Sequence, residues 1–172
     1  YEDMIVWTLR RDGSWHYDYS VFDRWVNLMM SMGVNKMINC YSIVPWNCLL
    51  DYFDEATGSK VTVSAKPGKP EFERMWKPFL TDFASHLKEK GWIGITNIAM
   101  DERSPEEMDA AAALLSECAP ELGFAIADNH KSYRKYTMMK DVCVSMKFGM
   151  SAEDIAKRRA EGFNSTFYVS CS

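Results

Sequence analysis

The 172 residues include 20 basic and 24 acidic side chains, a formal charge of −4, and no Lys/Arg stripe that would track a phosphate backbone, which argues against a nucleic-acid partner. With 47% hydrophobic and 13% aromatic residues the chain has the material for one packed core, and its composition is not that of a disordered segment. No stretch approaches the ~20 consecutive apolar residues that a helical membrane span requires.

In chain order, residues 4 to 19 predict a β-hairpin, because Met4-Ile5-Val6-Trp7-Thr8-Leu9 and Trp15-His16-Tyr17 flank Asp12-Gly13, a favoured two-residue turn. Ser20 or Asp18 then caps a helix whose apolar positions Phe22, Trp25, Val26, Met29 and Met32 recur at helical spacing, with Gly33 as its stop. Trp25 on that stripe is expected in the core, and Trp7 and Trp15 are expected to pack the hairpin. Val34 to Tyr41 reads as a strand. Residues 42 to 70 form a long connection, of a length that is functional or carries a small substructure.

The next helix spans about Glu71 to Lys90, with Phe72, Met75, Trp76, Phe79, Leu80, Phe83 and Leu87 as its buried stripe and Gly91 ending it. Pro78 should kink that helix or shorten its first part. An apolar strand follows and empties into Asp101-Glu102-Arg103, and Ser104-Pro105-Glu106-Glu107 is a capping box that starts the helix to about Cys118. Phe124 to Asp128 is a short strand, a helix is predicted near Tyr133 to Met138, and Asp141 to Met146 is another strand. Ser151 opens a helix that Gly162 closes, and Phe163 to Cys171 makes the last strand.

Strands alternating with helices predict an α/β fold built on a parallel sheet. No glycine-rich phosphate loop follows any strand, whereas polar and aromatic residues gather after the strands' carboxyl ends: Tyr41 and Trp46, Asp101 and Glu102, Asp128 to His130, and Tyr168 to Ser172. That distribution fits the catalytic face of a (β/α)8 TIM barrel. Five strands fall short of eight, so the expected architecture is a partial barrel of about five βα units after a β-hairpin, residues 1-172 forming part of a longer catalytic domain, with 1-19 a hairpin excursion and 42-70 an active-face loop.

Within the strand, alternation sends Asn97, Ala99 and Asp101 to the inward row, and Glu102 follows where the backbone turns. Two adjacent carboxylates beside a helix start are candidate chemistry; the bland alternative is a capping residue and a solvated Glu102-Arg103 pair. Cys40, Cys48, Cys118, Cys143 and Cys171 show no C-x-x-C spacing, and His16, His86 and His130 lie far apart, so no metal or other cofactor is expected.

Cys40-Tyr41-Ser42 with Pro45-Trp46, Trp76-Lys77-Pro78-Phe79-Leu80, His86-Leu87-Lys88, Gly91-Trp92 and Met100-Asp101-Glu102-Arg103 together resemble glycoside hydrolase family 123, the retaining β-N-acetylgalactosaminidases. The resemblance implies barrel strands 3 to 7, Asp101 orienting a 2-acetamido group and Glu102 as acid/base in substrate-assisted hydrolysis. It further implies a carbohydrate partner, an N-acetylgalactosamine-containing glycan or glycolipid, together with the missing parts of the barrel itself, in a bacterial secreted or cell-envelope setting. The seventh strand, where many barrel glycosidases keep a nucleophilic acid, ends here in Phe167-Tyr168-Val169-Ser170-Cys171-Ser172 and holds none.

Tyr41 and Trp46 are candidate sugar platforms, and Tyr168 is placed to donate a hydrogen bond to the acetamido oxygen, though Tyr41 and Tyr168 equally suit barrel filling. Asp128, Asn129 and His130 are candidates for binding hydroxyls. Asp128 either caps its own loop or serves as a second acid with Glu102 in an ordinary two-carboxylate glycosidase. A non-catalytic carbohydrate-binding module is the remaining alternative.

Overall fold

The computed structural model describes residues 3–128 and 130–169. Two sheets share one hydrophobic core. The first has four strands, β1 (Val6–Leu9), β2 (Trp15–Asp18), β4 (Leu49–Asp54) and β5 (Ser59–Ser64), in the order β2-β1-β4-β5. The second is a five-stranded parallel sheet of β3 (Ile38–Tyr41), β6 (Thr96–Met100), β7 (Gly123–Asp128), β8 (Met139–Ser145) and β9 (Asn164–Tyr168), neighbours in that order. Helices α1 (Ser20–Ser31), α2 (Pro70–Lys90), α3 (Pro105–Cys118) and α4 (Ala152–Ala160) connect them.

The predicted hairpin forms, but Leu9 pairs with Trp15, so its loop has five residues, 10 to 14, rather than two. The Asp12 carboxylate accepts from the Ser14 amide and hydroxyl, and Gly13 takes a φ of 84°, a local turn that needs the extra residues. The 42–70 connection contains the β4–β5 hairpin, and β4 pairs parallel to β1, so the two excursions build one sheet. This sheet lies on α2 through aromatic contacts: the Trp7 ring sits 4.5 Å from Phe79 and 5.3 Å from Trp76.

The apolar stripe expected on α2 is buried throughout, as Phe72, Met75, Trp76, Phe79, Leu80, Phe83 and Leu87. Pro78 does not shorten that helix, which is continuous from Pro70 to Lys90. Trp25 is a correction. It is 48% exposed, because α1 buries only Phe22 and Val26, and no described element covers its adjoining side. The helix predicted near Tyr133 to Met138 is also absent. A single 3-10 turn, Ser132–Arg134, occupies that place, organised around the Asp128 carboxylate.

In the parallel sheet the row holding Ile98, Met100, Phe124, Ile126, Val142 and Val144 joins the core. The opposite row is polar or small: Asn39 and Tyr41, Asn97 and Ala99, Gly123 and Ala125, Asp141 and Cys143, Asn164 and Thr166. An irregularity at Lys140, where Phe124 pairs with Met139 but Ala125 with Asp141, lets Met139 face the core and Asp141 the polar side.

Hydrogen bonds then cross that polar face. Asn39 Nδ2 donates to Asp141 Oδ2 at 2.6 Å, Asn164 Nδ2 donates to Asp141 Oδ1 at 2.9 Å, and Asn97 Nδ2 donates to Asn39 Oδ1 at 2.9 Å. In a flat sheet β3 and β8 would stand roughly 14 Å apart, three strand spacings, too far for two short side chains to meet. The face is therefore concave. Gly123 makes the brace possible, since a Cβ there would stand 1.9 Å from Asn97 Oδ1 and 2.7 Å from Lys140 Cδ.

Candidate active site

The strand β6 ends at Met100, and α3 begins at Pro105 behind a complete capping box in which Ser104 and Glu107 exchange backbone and side-chain hydrogen bonds. Asp101, Glu102 and Arg103 occupy the gap, so neither ladder nor helix fixes their side chains. External partners do. Trp46 Nε1 donates to Asp101 Oδ2 at 2.8 Å, and the Tyr168 hydroxyl donates to Glu102 Oε1. Trp46 follows β3 and Tyr168 ends β9, the two edge strands of the sheet. The concave face thus brings opposite edges to one acid pair.

The loop after β3 is fastened to the end of β6. The Ile43 amide donates to the Ala99 carbonyl at 3.0 Å, and the Ser42 hydroxyl and Arg103 Nη2 both donate to the Val44 carbonyl, at 3.0 and 2.9 Å. Arg103 lies with its guanidinium carbon 3.9 Å from the centre of the Trp46 ring. Its partners are an indole and a carbonyl rather than Glu102; among the described residues it forms no ion pair with a carboxylate within 4.0 Å.

Of the aromatic candidates, Trp46 is 70% and Tyr41 58% exposed, Tyr41 on the concave side and Trp46 in the loop beyond β3. Burial of the Tyr41 hydroxyl and the charges of Asp101 and Asp141 push its pKa up, so the phenol stays a neutral donor beside the acids. Tyr168 reaches Glu102.

Asp128 is elsewhere in its bonding. It is 2% exposed, and it accepts from the His130 amide at 2.7 Å, the Ser132 amide at 2.6 Å and the Ser132 hydroxyl at 3.1 Å. Those donors use both carboxylate oxygens, and the group caps its own loop. His130 is exposed. Asn129 and Ser170 to Ser172, which also carried site expectations, lie outside the described residues.

Cys40 is shielded on the core side, and burial pushes its thiol up to about 12, so it stays protonated. Among the described residues no group of three or more His, Cys, Asp or Glu side chains is placed to hold a metal ion. The Asn39, Asn97, Asp141 and Asn164 brace was not anticipated. Its signal was present, however: Asn39 precedes Tyr41 by two residues, and Asn97 and Asn164 precede Asp101 and Tyr168 by four, all on the inward parity.

The catalytic-domain profile of glycoside hydrolase family 123 matches residues 1–172. A family 123 glycoside hydrolase from Clostridium perfringens, whose structure was used to detail glycolipid glycan hydrolysis, is 30% identical and superposes with a TM-score of 0.84 over 96% of this chain. This chain spans 32% of that enzyme. No curated protein matches. The chain belongs to glycoside hydrolase family 123 and lies in its catalytic domain.

Proposed function

We propose that this domain hydrolyses terminal β-linked N-acetylgalactosamine from a glycan or glycolipid, with retention and with the substrate's acetamido group as nucleophile. The observation that carries the reading is the acid pair itself. Asp101 and Glu102 each hold one aromatic donor, from opposite edges of the sheet, while the neighbouring rim acid Asp128 holds three donors from its own loop.

An ordinary retaining enzyme needs a second carboxylate about 5 to 5.5 Å from the first, across the sugar, free to attack C1. Asp128 is committed to two amides and a hydroxyl, which disfavours it as that group. The assisted route needs none. The acetamido oxygen attacks C1 as the glycosidic bond breaks, the leaving oxygen takes its proton from Glu102, and an oxazolinium forms. Asp101 accepts the acetamido N–H and stabilises the charge growing on that group. Glu102 then takes a proton from water, which attacks C1 and reopens the ring, so two displacements restore the starting configuration.

The Trp46 and Tyr41 surfaces supply apolar faces for a sugar, and His130 stands exposed as a candidate hydroxyl ligand. The concave five-stranded face supports the reading of this sheet as an arc of a (β/α)8 barrel, with the remaining strands contributed by a longer chain. Its sugar would then lie at the carboxyl ends of the strands.

The intact protein, assayed on paired aryl β-glycosides with and without the 2-acetamido group, tests the reading. Cleavage restricted to the acetamido sugar, with the β-anomer of the free sugar formed first by NMR, is expected. Turnover of the plain glycoside at a similar rate would select the two-carboxylate mechanism, and binding without release of sugar would make the domain a carbohydrate-binding module.

A further inference from the structure

We propose that Arg103 is a positioning residue that sets the orientation of Asp101 through the indole of Trp46. The inference rests on the reading that Asp101 receives the acetamido N–H, and it concerns how that carboxylate is aimed.

Trp46 is 70% exposed, so packing does not hold it. Its ring is retained by two contacts: the hydrogen bond from Nε1 to Asp101 Oδ2 at 2.8 Å and the guanidinium of Arg103 stacked at 3.9 Å. Arg103 in turn is anchored by the bond from Nη2 to the Val44 carbonyl, two residues before the indole, so one side chain grips both the loop and its ring. Its Nε is buried without a hydrogen-bond partner among the described residues. An arginine that merely solvated a helix start would extend into water and satisfy that nitrogen. Here the guanidinium lies over the indole instead.

Two consequences follow for Asp101. Its backbone lies outside both β6 and α3, so the carboxylate depends on the indole N–H for its orientation. With Oδ2 occupied, Oδ1 is the oxygen offered to a ligand amide. A cation over the indole face also withdraws electron density from the ring, which strengthens the N–H as a donor. Arginine suits this place better than lysine, which could keep the charge over the ring but lacks the planar fork.

The test is a double-mutant cycle in the intact protein, Arg103→Met, Trp46→Phe and the pair together, with an aryl N-acetyl-β-galactosaminide as substrate. Loss of aim should lower kcat about tenfold or more in Arg103→Met and leave KM within about threefold. The double variant should lose no more than Trp46→Phe alone, because the arginine has nothing left to act through. Arg103→Lys should recover part of the loss.

A second readout is independent of turnover. In 15N-tryptophan-labelled protein the indole N–H signal of Trp46, identified by its absence from Trp46→Phe, should shift and exchange faster with solvent in Arg103→Met, or in Arg103→Lys should the first variant not fold. Losses that multiply in the double variant, or an indole signal that stays in place, overturn the proposal. Normal turnover in Asp101→Asn would instead sink the acetamido reading, while the indole signal would still decide whether Arg103 holds Trp46 on Asp101.

Discussion

The acids after β6 and those around the β7–β8 connection are built differently. Asp128 takes its donors from residues two and four positions away, and Asp154, at the start of α4, takes them from Ser151, Tyr133 and Arg134. Asp101 and Glu102 take theirs from Trp46 and Tyr168, 55 and 66 residues away. A carboxylate engaged by three or more donors is part of the scaffold. One that is held at a single oxygen by a distant aromatic donor keeps capacity for a substrate.

Substitutions that separate the two sets test this contrast. Glu102→Gln should cost the most, about 10²–10⁴-fold in kcat for substrates with poor leaving groups and much less for activated aryl glycosides, since the lost element is proton transfer. Equal losses across a leaving-group series would remove Glu102 from the acid/base role. Tyr168→Phe should lower kcat about tenfold, the order of one hydrogen bond to a charged group. An unchanged pre-steady-state rate there would make the phenol mere filling.

Asp128→Ala should act on folding. It leaves the buried Ser132 amide and hydroxyl without their acceptor, a loss of about 1–3 kcal/mol readable in urea or thermal unfolding. Should it instead depress turnover as strongly as Glu102→Gln with its unfolding midpoint intact, the contrast would collapse in favour of the two-carboxylate mechanism.

The smallest effect belongs to Asp154. Its hydrogen bonds with Arg134 and Ser151 hold its pKa at about 2, below the ordinary 3.8. A carboxyl depressed on folding contributes stability that is complete above the unfolded value and lost as the pH falls through the folded one. Acid unfolding between about pH 4 and 2 should therefore be shallower in Asp154→Asn. An unaltered acid limb would show that Arg134 does not reach it in solution.

Much of the fold was readable because its signals are local. The α2 stripe, the Ser104 capping box and the five strands of the parallel sheet are written in spacing and caps, and each formed in its expected place in the order, though β3 spans Ile38–Tyr41 where Val34 to Tyr41 was expected. The failures lay in the breadth of burial and in turn chemistry. Trp25 has the right helical spacing for burial, but spacing does not say how wide a neighbour will cover it. The segment after β7 has helical composition, yet Asp128 draws its amides into a tight turn first.

For the site, the strand end and the inward parity of Asp101 picked out the acid pair. Its partners are another matter. Trp46 was legible as an exposed aromatic after β3 but not as a donor to Asp101, and Tyr168 was legible as a phenol near the site but not as the partner of Glu102, because both depend on how far the sheet bends.

That bend originates at the floor, where Asp141 is gripped from β3 and β9 and Asn97 fits only because residue 123 lacks a side chain. The floor and the rim therefore differ in how freely they can vary. A single added methyl at position 123 would push Asn97 away from Asn39 and loosen four strands together, whereas the loops above are tied at the strand ends, the β3 loop to Ala99, Asp101 and Arg103. Redesign of sugar preference in this domain belongs in those loops, with the asparagine and aspartate layer beneath them kept intact as the template that gives any new loop its angle.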